Sequence, residues 1–116
     1  MLLIGHSMGG VIACGIASKF VRTRVKGVVT IFAPHTTGRV SPYLDFYKQI
    51  YGEAPALPAP VVSFGGYLDP VVPFVFTRHP HAVRHVNLLS DHRFIIGYSR
   101  EVARRIVDDV TDIFNL

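Results

Sequence analysis

Residues 2–20, LLIGHSMGGVIACGIASKF, change hydrophobic period within two positions of a serine, and that change constrains the fold more than any other feature of the chain. Residues 1–4 are a short apolar run, the pattern of the end of a buried parallel strand. From Gly9 to about Val21 the repeat is helical, with Ile12, Ile16 and Phe20 recurring every four residues and Ala13 and Ala17 beside them. Ser7 stands at the junction, with Gly5 and Gly9 two positions away on either side. A strand that turns straight into a helix strains the backbone at the corner and brings the flanking chain so close that side chains two positions away collide. Glycine is therefore expected at both 5 and 9. The same corner raises the serine oxygen above the end of the sheet. It also leaves the Met8 N–H at a helix N-terminus, aimed where negative charge would develop during attack on a carbonyl.

The rest of the chain alternates strand and helix. "VKGVVTIF" (25–32) is a β-branched run stopped by Ala33-Pro34, "VVSF" (61–64) is a third strand ended by Gly65-Gly66, and "AVRHVNLL" (82–89) is a fourth. Pro70, Pro73 and Pro80 keep residues 69–81 out of regular structure. A last helix starts near Ser99, a good N-cap, and buries Val102, Ile106, Val110 and Ile113 with Ala103, Val107 and Phe114 beside them. Glu101 is placed four residues before Arg105 for an ion pair. Residues 35–60, rich in proline and glycine around the aromatic stretch "YLDFYKQIY", read as a lid-like loop with one short helix. The alternation predicts one α/β domain over residues 1–116, a parallel sheet of about four strands flanked by helices.

A serine nucleophile needs a base and an orienting acid, and in a parallel sheet such groups sit past the carboxyl ends of strands. Among the eight acidic residues, Asp69 alone follows the third strand by a short turn, in "FGGYLDPVVP". Asp108, Asp109 and Asp112 fall on the polar side of the last helix, and Asp45 and Glu53 in the aromatic loop. Among the six histidines, His92 lies in the loop after the fourth strand. His85 is in mid-strand, His79 and His81 flank Pro80 in a loop where both are expected to be exposed, and His6 and His35 lie near Ser7 as candidates to line a pocket. Asp91 adjoins His92, but neighbouring side chains rarely meet productively, so it ranks behind Asp69. The reading is Ser7 as nucleophile, His92 as base and later acid, Asp69 as orienting acid, and Met8 as oxyanion donor. His6, His35, Tyr43, Phe46 and Tyr47 are candidate substrate contacts. No His, Cys or carboxylate grouping has metal-ligand spacing, and no cofactor is expected.

Hydrophobic residues at 49% and charged residues at 17% describe a chain with a packed core. No apolar run approaches the ~20 residues that span a bilayer, so no transmembrane segment is expected. The single Cys14 excludes an internal disulfide and reads as a core thiol. The net charge of +4 comes from scattered basic residues without aromatic interleaving, which argues against a nucleic-acid partner. "VIAC" at 11–14 imitates a lipoprotein cleavage box, but no Lys or Arg precedes Lys19 to form its charged region.

With these residues in place, the chain resembles an α/β-hydrolase of the lipase type, through "LIGHSMGG" and the "APH" after the next strand. It is most similar to the GPI inositol-deacylase family. "GHSMGGVIA" followed by "IFAPHTTGRVSPYLDFYKQIY" resembles that family's proline-histidine segment and aromatic stretch. "VVSFGGYLD" resembles its Ser-x-x-Gly-Gly-x-x-Asp region, and "SDHRFIIGYSREVARRI" its aspartate-histidine motif. The resemblance covers nearly the whole chain. It implies the C-terminal half of an α/β-hydrolase domain, with Ser7, Asp69 and His92 removing an acyl chain from the inositol of a glycolipid anchor at the endoplasmic reticulum membrane. The implied substrate is a lipid or glycolipid ester.

Members of that family carry the first half of the sheet, with a second oxyanion donor, before the serine turn, and transmembrane helices after the domain. An N-terminal half of the fold is thus an implied partner, and this chain alone is expected to be poorly soluble and weakly active. Two other functions fit the same residues: a non-catalytic truncated hydrolase fragment, and a thioesterase or acyltransferase on the same scaffold.

Overall fold

A computed structural model describes residues 1–19, 24–36, 57–92 and 99–116. Its strands β1 (Leu2–His6), β2 (Gly27–Ile31), β3 (Val61–Gly66) and β4 (Ala82–Leu88) form one parallel sheet in the order β1-β2-β3-β4. Helices α1 (Met8–Lys19) and α2 (Ser99–Phe114) flank the sheet, and a 3-10 turn occupies Phe74–Phe76. This is the α/β architecture expected from the alternating pattern. Because all four strands are parallel, their carboxyl ends emerge along one edge of the sheet, which is where loops can converge on a site. The central strands β2 and β3 are buried at every residue, as apolar parallel strands are.

Side chains alternate between the two faces. On one face, Val29, Ile31, Phe32, Val62, Phe64 and Leu88 pack against Val102, Ile106, Val110 and Phe114 of α2. On the other, Val28 and Val61 pack against Ala13, Cys14 and Ala17 of α1. In α2 the buried stripe runs at a spacing of four through Phe114, Ile113 is only partly covered, and Val107 is exposed, because one residue past Ile106 is about 100° round the helix. Arg105 pairs with Asp109 at 3.0 Å rather than with Glu101. Asp109, expected on the polar side, is buried, because Arg84 of β4 also reaches it at 3.5 Å and the two guanidinium groups supply the charge that a buried carboxylate requires.

Helix α1 departs most from expectation. Its buried face is Gly10, Val11, Ala13, Cys14 and Ala17, while Ile12 and Ile16 are half-buried; Phe20 lies outside the described residues. The reason is the corner at Ser7. A helix that leaves its strand through one residue cannot stand off from the sheet, so the contact positions must be small. A Cβ on Gly10 would lie 2.6 Å from Ala33 Cβ and 3.1 Å from Thr30 Cβ. β3 also runs two residues beyond its expected end, since Gly65 and Gly66 continue the ladder opposite Asn87 and Leu88.

His79 is a further correction. It is wholly buried, while His81 is exposed as expected. The His79 ring stands edge-on to that of His35 at 4.9 Å, and its Nδ1 accepts the His81 N–H. Its backbone N–H donates to Ser63 Oγ, and the Ser63 hydroxyl in turn donates to His85 Nδ1. His85 Nε2–H then donates to Asn87 Oδ1. Burial pushes the His79 pKa down to about 4, and the nearby His81 adds to the shift. The His85 pKa is also lowered, chiefly by burial, with the Arg78 charge acting in the same direction and the bond to Asn87 opposing it.

For a histidine whose folded pKa lies below its unfolded value, the unfolded chain binds protons first as the pH falls, so stability is lost through that window. The urea midpoint should hold steady above pH 6.5 and fall between about pH 6.5 and 4, with His79 contributing up to about 1.4 kcal/mol per pH unit. In His79→Asn the amide oxygen can replace Nδ1 as acceptor but cannot titrate. That variant should show a measurably shallower acid slope in the same titration.

Candidate active site

The site starts at the corner. Ser7 lies between β1 and α1 at φ 55°, a left-handed conformation unusual for a residue with a side chain. Its N–H donates to Ile31 O at 2.8 Å, which extends the β1–β2 ladder by one bond, and its carbonyl accepts the Gly10 N–H at 3.0 Å. The backbone of Ser7 is therefore held on both sides while Oγ stands clear of the strand. Met8 opens α1, so its N–H has no acceptor within the helix.

The glycines around Ser7 are required for different reasons than the motif alone suggests. A Cβ on Gly5 would overlap the carbonyl of Gly9 and the amide nitrogen of Gly10, so Gly5 is obligatory. At Gly9 a Cβ would point into open space, which corrects the expectation of a clash there. The second constrained position is Gly10, against Ala33 and Thr30.

Asp69 follows β3 through a tight turn closed by its own N–H on Gly66 O. Its carboxylate is buried, and Oδ1 accepts the N–H groups of Val71 at 2.8 Å and Val72 at 2.9 Å. That arrangement aims Oδ2 at His92 Nδ1, 2.7 Å away. A carboxylate can only accept, so the imidazole proton is on Nδ1 and Nε2 carries the lone pair. His92 Nε2 lies 2.9 Å from Ser7 Oγ, whose hydroxyl is the donor. The structure thus brings together Ser7, His92 and Asp69 in one hydrogen-bonded line with a consistent set of donors and acceptors. The two loops that carry Asp69 and His92 are tied to each other by Tyr67 N–H on Leu88 O and Leu68 N–H on Ser90 O.

His6 is at the site, beside His92 and exposed. Its Nε2–H donates to the His92 carbonyl at 2.8 Å, and the two rings lie 4.9 Å apart. Phe32, also left-handed at φ 54°, places its ring 6.0 Å from His6 and 6.3 Å from His92. Neither Phe32 nor the Val71 and Val72 amides were legible beforehand; the nearest signal was an Asp-Pro pair announcing a turn. His35, expected beside Ser7, turns into the interior instead and places Nε2 2.8 Å from Thr30 Oγ1. Tyr43, Phe46 and Tyr47, with most of the lid-like 35–60 stretch, lie outside the described residues.

Among the described residues, one grouping of possible metal donors occurs, with ligand atoms of Cys14, His35 and His79 within 4.8 Å of one another. Its protonation does not suit a cation. The bond from His81 N–H to Nδ1 places the His79 proton on Nε2, the atom without a partner. His35 Nε2 is engaged with Thr30, and burial pushes the Cys14 thiol up to about 12. A cation would have to displace a proton from a deeply buried thiol and break the His79 bond.

Comparison with known proteins agrees with this fold. Residues 1–57 match the family described as the PGAP1-like alpha/beta domain. Three solved structures superpose well. They are the esterase domain of a Rhodothermus marinus protein (22% identity, TM-score 0.56, 78% of this chain and 52% of that one), a dienelactone hydrolase candidate from Klebsiella pneumoniae (19%, 0.64, 98% and 51%) and a hydrolase candidate from Agrobacterium vitis (20%, 0.56, 90% and 60%). The fold is that of the α/β-hydrolases, and the chain spans about half to three-fifths of the length of these structures. No curated protein sequence matches the chain.

The two flanking glycines should respond oppositely to alanine. Gly5→Ala should lower unfolding stability by about 3 kcal/mol or more, because backbone atoms cannot move aside. Gly9→Ala, in open space within a helix, should be neutral or stabilising by about 0.5–1 kcal/mol. Urea denaturation of the two variants checks both.

Proposed function

We propose that this chain carries the nucleophile, base and acid of a serine ester hydrolase whose substrate is an acyl ester of a lipid or glycolipid. The observation behind the proposal is the line from Asp69 Oδ2 through the His92 ring to Ser7 Oγ, with contacts of 2.7 and 2.9 Å. In this reading Ser7 Oγ attacks the ester carbonyl while its proton passes to His92 Nε2. The carbonyl oxygen gains negative charge, which the Met8 N–H and the N-terminus of α1 stabilise. Asp69 holds the imidazole in the required tautomer and stabilises its positive charge without taking the proton. His92 then protonates the leaving alcohol. In the second half of the cycle a water molecule gives a proton to His92 as it attacks the acyl-serine carbonyl, and His92 returns that proton to Ser7 Oγ as the acyl–oxygen bond breaks and the acid leaves.

His6 acts here by anchoring the His92 carbonyl, which fixes how far Nε2 stands from Ser7. In this reading it is a positioning residue, and its exposed side chain also remains a candidate substrate contact. The lipid part of the proposal is supported by the PGAP1-like match over residues 1–57 and by the "APH" and aspartate-histidine motifs. On the same basis the proposed setting is the endoplasmic reticulum membrane. The chain spans about half to three-fifths of the length of the matched structures, and the rest of the sheet and a second oxyanion donor are proposed to lie in the part of the fold that residues 1–116 do not span.

Single-turnover release of p-nitrophenol from a p-nitrophenyl ester tests the assignment. Ser7→Ala should lose the burst of p-nitrophenol that acylation gives, and Asp69→Asn should slow that burst toward the background left by binding and the oxyanion donor alone. His6→Phe should slow acylation by about tenfold with little change in KM, and His6→Gln, which keeps an N–H donor, should recover part of the loss. Unchanged acylation in Ser7→Ala would refute the proposal.

A further inference from the structure

Residues 67–75, YLDPVVPFV, reverse the usual sorting of side chains. Tyr67, Leu68, Val71 and Val75 are 55%, 54%, 52% and 62% exposed, and Pro70 and Pro73 are exposed between them. Phe74 is half-buried with its ring edge-on to Tyr67 at 4.9 Å. The residues turned inward are Val72 and the one acid, Asp69. This apolar surface is built rigidly. Its backbone is held by Asp69 Oδ1 on the Val71 and Val72 amides, by the ties from Tyr67 and Leu68 to the loop after β4, and by Phe76 N–H on Pro73 O. Contiguous apolar surface of this kind on a soluble face marks an interaction site.

Charge narrows what covers it. Among residues 57–92 the sequence holds two acids, Asp69, which is buried, and Asp91, which is half-buried beside Ser90. Arg78, three residues past Val75, is exposed, whereas Arg84 is engaged by Asp109 and Asp112. The face is therefore apolar with an adjacent cation and no exposed carboxylate between 57 and 90. Tyr67, amphipathic and half in the open, suits a membrane–water interface. Position supplies the last constraint, because the loop that presents these side chains also carries Asp69 to His92. The loop and Ser7 share the carboxyl edge of the sheet, with the His92 ring between Asp69 and Ser7. A second protein copy there would crowd the site, whereas a lipid surface would cover the apolar residues and deliver an ester to it.

We propose that residues 67–75, flanked by Arg78, are the surface by which this protein docks on a membrane bearing anionic headgroups, with Ser7 facing the lipid. The proposal rests on the ester-hydrolase reading for its purpose but not for its test.

The experiment is sedimentation of the full chain with phosphatidylcholine vesicles and with vesicles also containing phosphatidylserine. Leu68→Asp combined with Val75→Asp should weaken partitioning at least about tenfold on both. Arg78→Ser should weaken it about fivefold on the anionic vesicles alone. Val107→Asp, at an equally exposed valine on α2, should leave it unchanged. Because the double variant could misfold, a second measurement uses the absence of tryptophan from the chain. In Val75→Trp the emission should shift to the blue on adding vesicles, and in Val107→Trp it should not. Vesicle binding that survives the double variant, or that Val107→Asp weakens equally, would overturn the proposal. So would self-association abolished by the double variant without any effect of vesicles. Hydrolysis of a soluble short ester is scored separately: vesicle binding without hydrolysis removes only the enzymatic reading, and hydrolysis without vesicle binding removes only this one.

Discussion

The structure depends on holding one serine in a left-handed conformation between a strand and a helix. That conformation at Ser7 costs about 1–3 kcal/mol by itself, and neighbours on both sides sustain it. The bond to Ile31 makes the corner an extension of the β1–β2 ladder, and the bond from Gly10 makes it the first turn of α1. Two consequences follow for the rest of the chain. The helix must lie close against the sheet, so its inner face is built from Gly10, Ala13, Cys14 and Ala17 rather than from its isoleucines. And the serine is delivered to the carboxyl edge of the sheet, where the loops after β3 and β4 can reach it.

Those loops are organised around a second constraint, the buried carboxylate of Asp69. It accepts two backbone amides on one oxygen and the His92 ring on the other, so the loop that carries it has little freedom. Burying this acid in a proline-rich turn leaves the apolar residues of the same turn outside. The exposed face at 67–75 and the geometry at His92 thus have a common origin. On the opposite side of His92, the bond from His6 and the ring of Phe32 complete its confinement. An imidazole held on three sides keeps its Nε2 within hydrogen-bond reach of Ser7 Oγ, which is the preorganisation the proposed reaction would draw on.

Much of this was legible from the residues. The period change around Ser7, the β-branched runs and the wide spacing between strands determine a parallel sheet, and the position of Asp69 and His92 just past strands three and four singles them out from the other acids and histidines. The misreadings have physical causes. The four-residue repeat of Ile12 and Ile16 marks an apolar stripe, but the closeness of α1 to the sheet favours size over hydrophobicity at the contact. Gly9 was expected to relieve a clash by symmetry with Gly5, yet the side-chain directions of a strand and a helix are not symmetric about the corner. His79 flanks Pro80 in what reads as an exposed loop, and Asp109 falls on the polar side of the last helix. Their burial depends on partners far away in sequence, Ser63 in one case and Arg84 in the other, which no local pattern reveals. Backbone donors such as the Val71 and Val72 amides leave no trace in residue identity at all.

The central claim is that the Ser7 hydroxyl is activated by His92. Covalent trapping with a fluorophosphonate, followed by intact mass and peptide mapping, measures that directly. The expected result is a single adduct, located on Ser7, whose rate of formation falls by at least about a hundredfold in His92→Gln. No adduct, an adduct on another residue, or an equal labelling rate in His92→Gln would contradict the account.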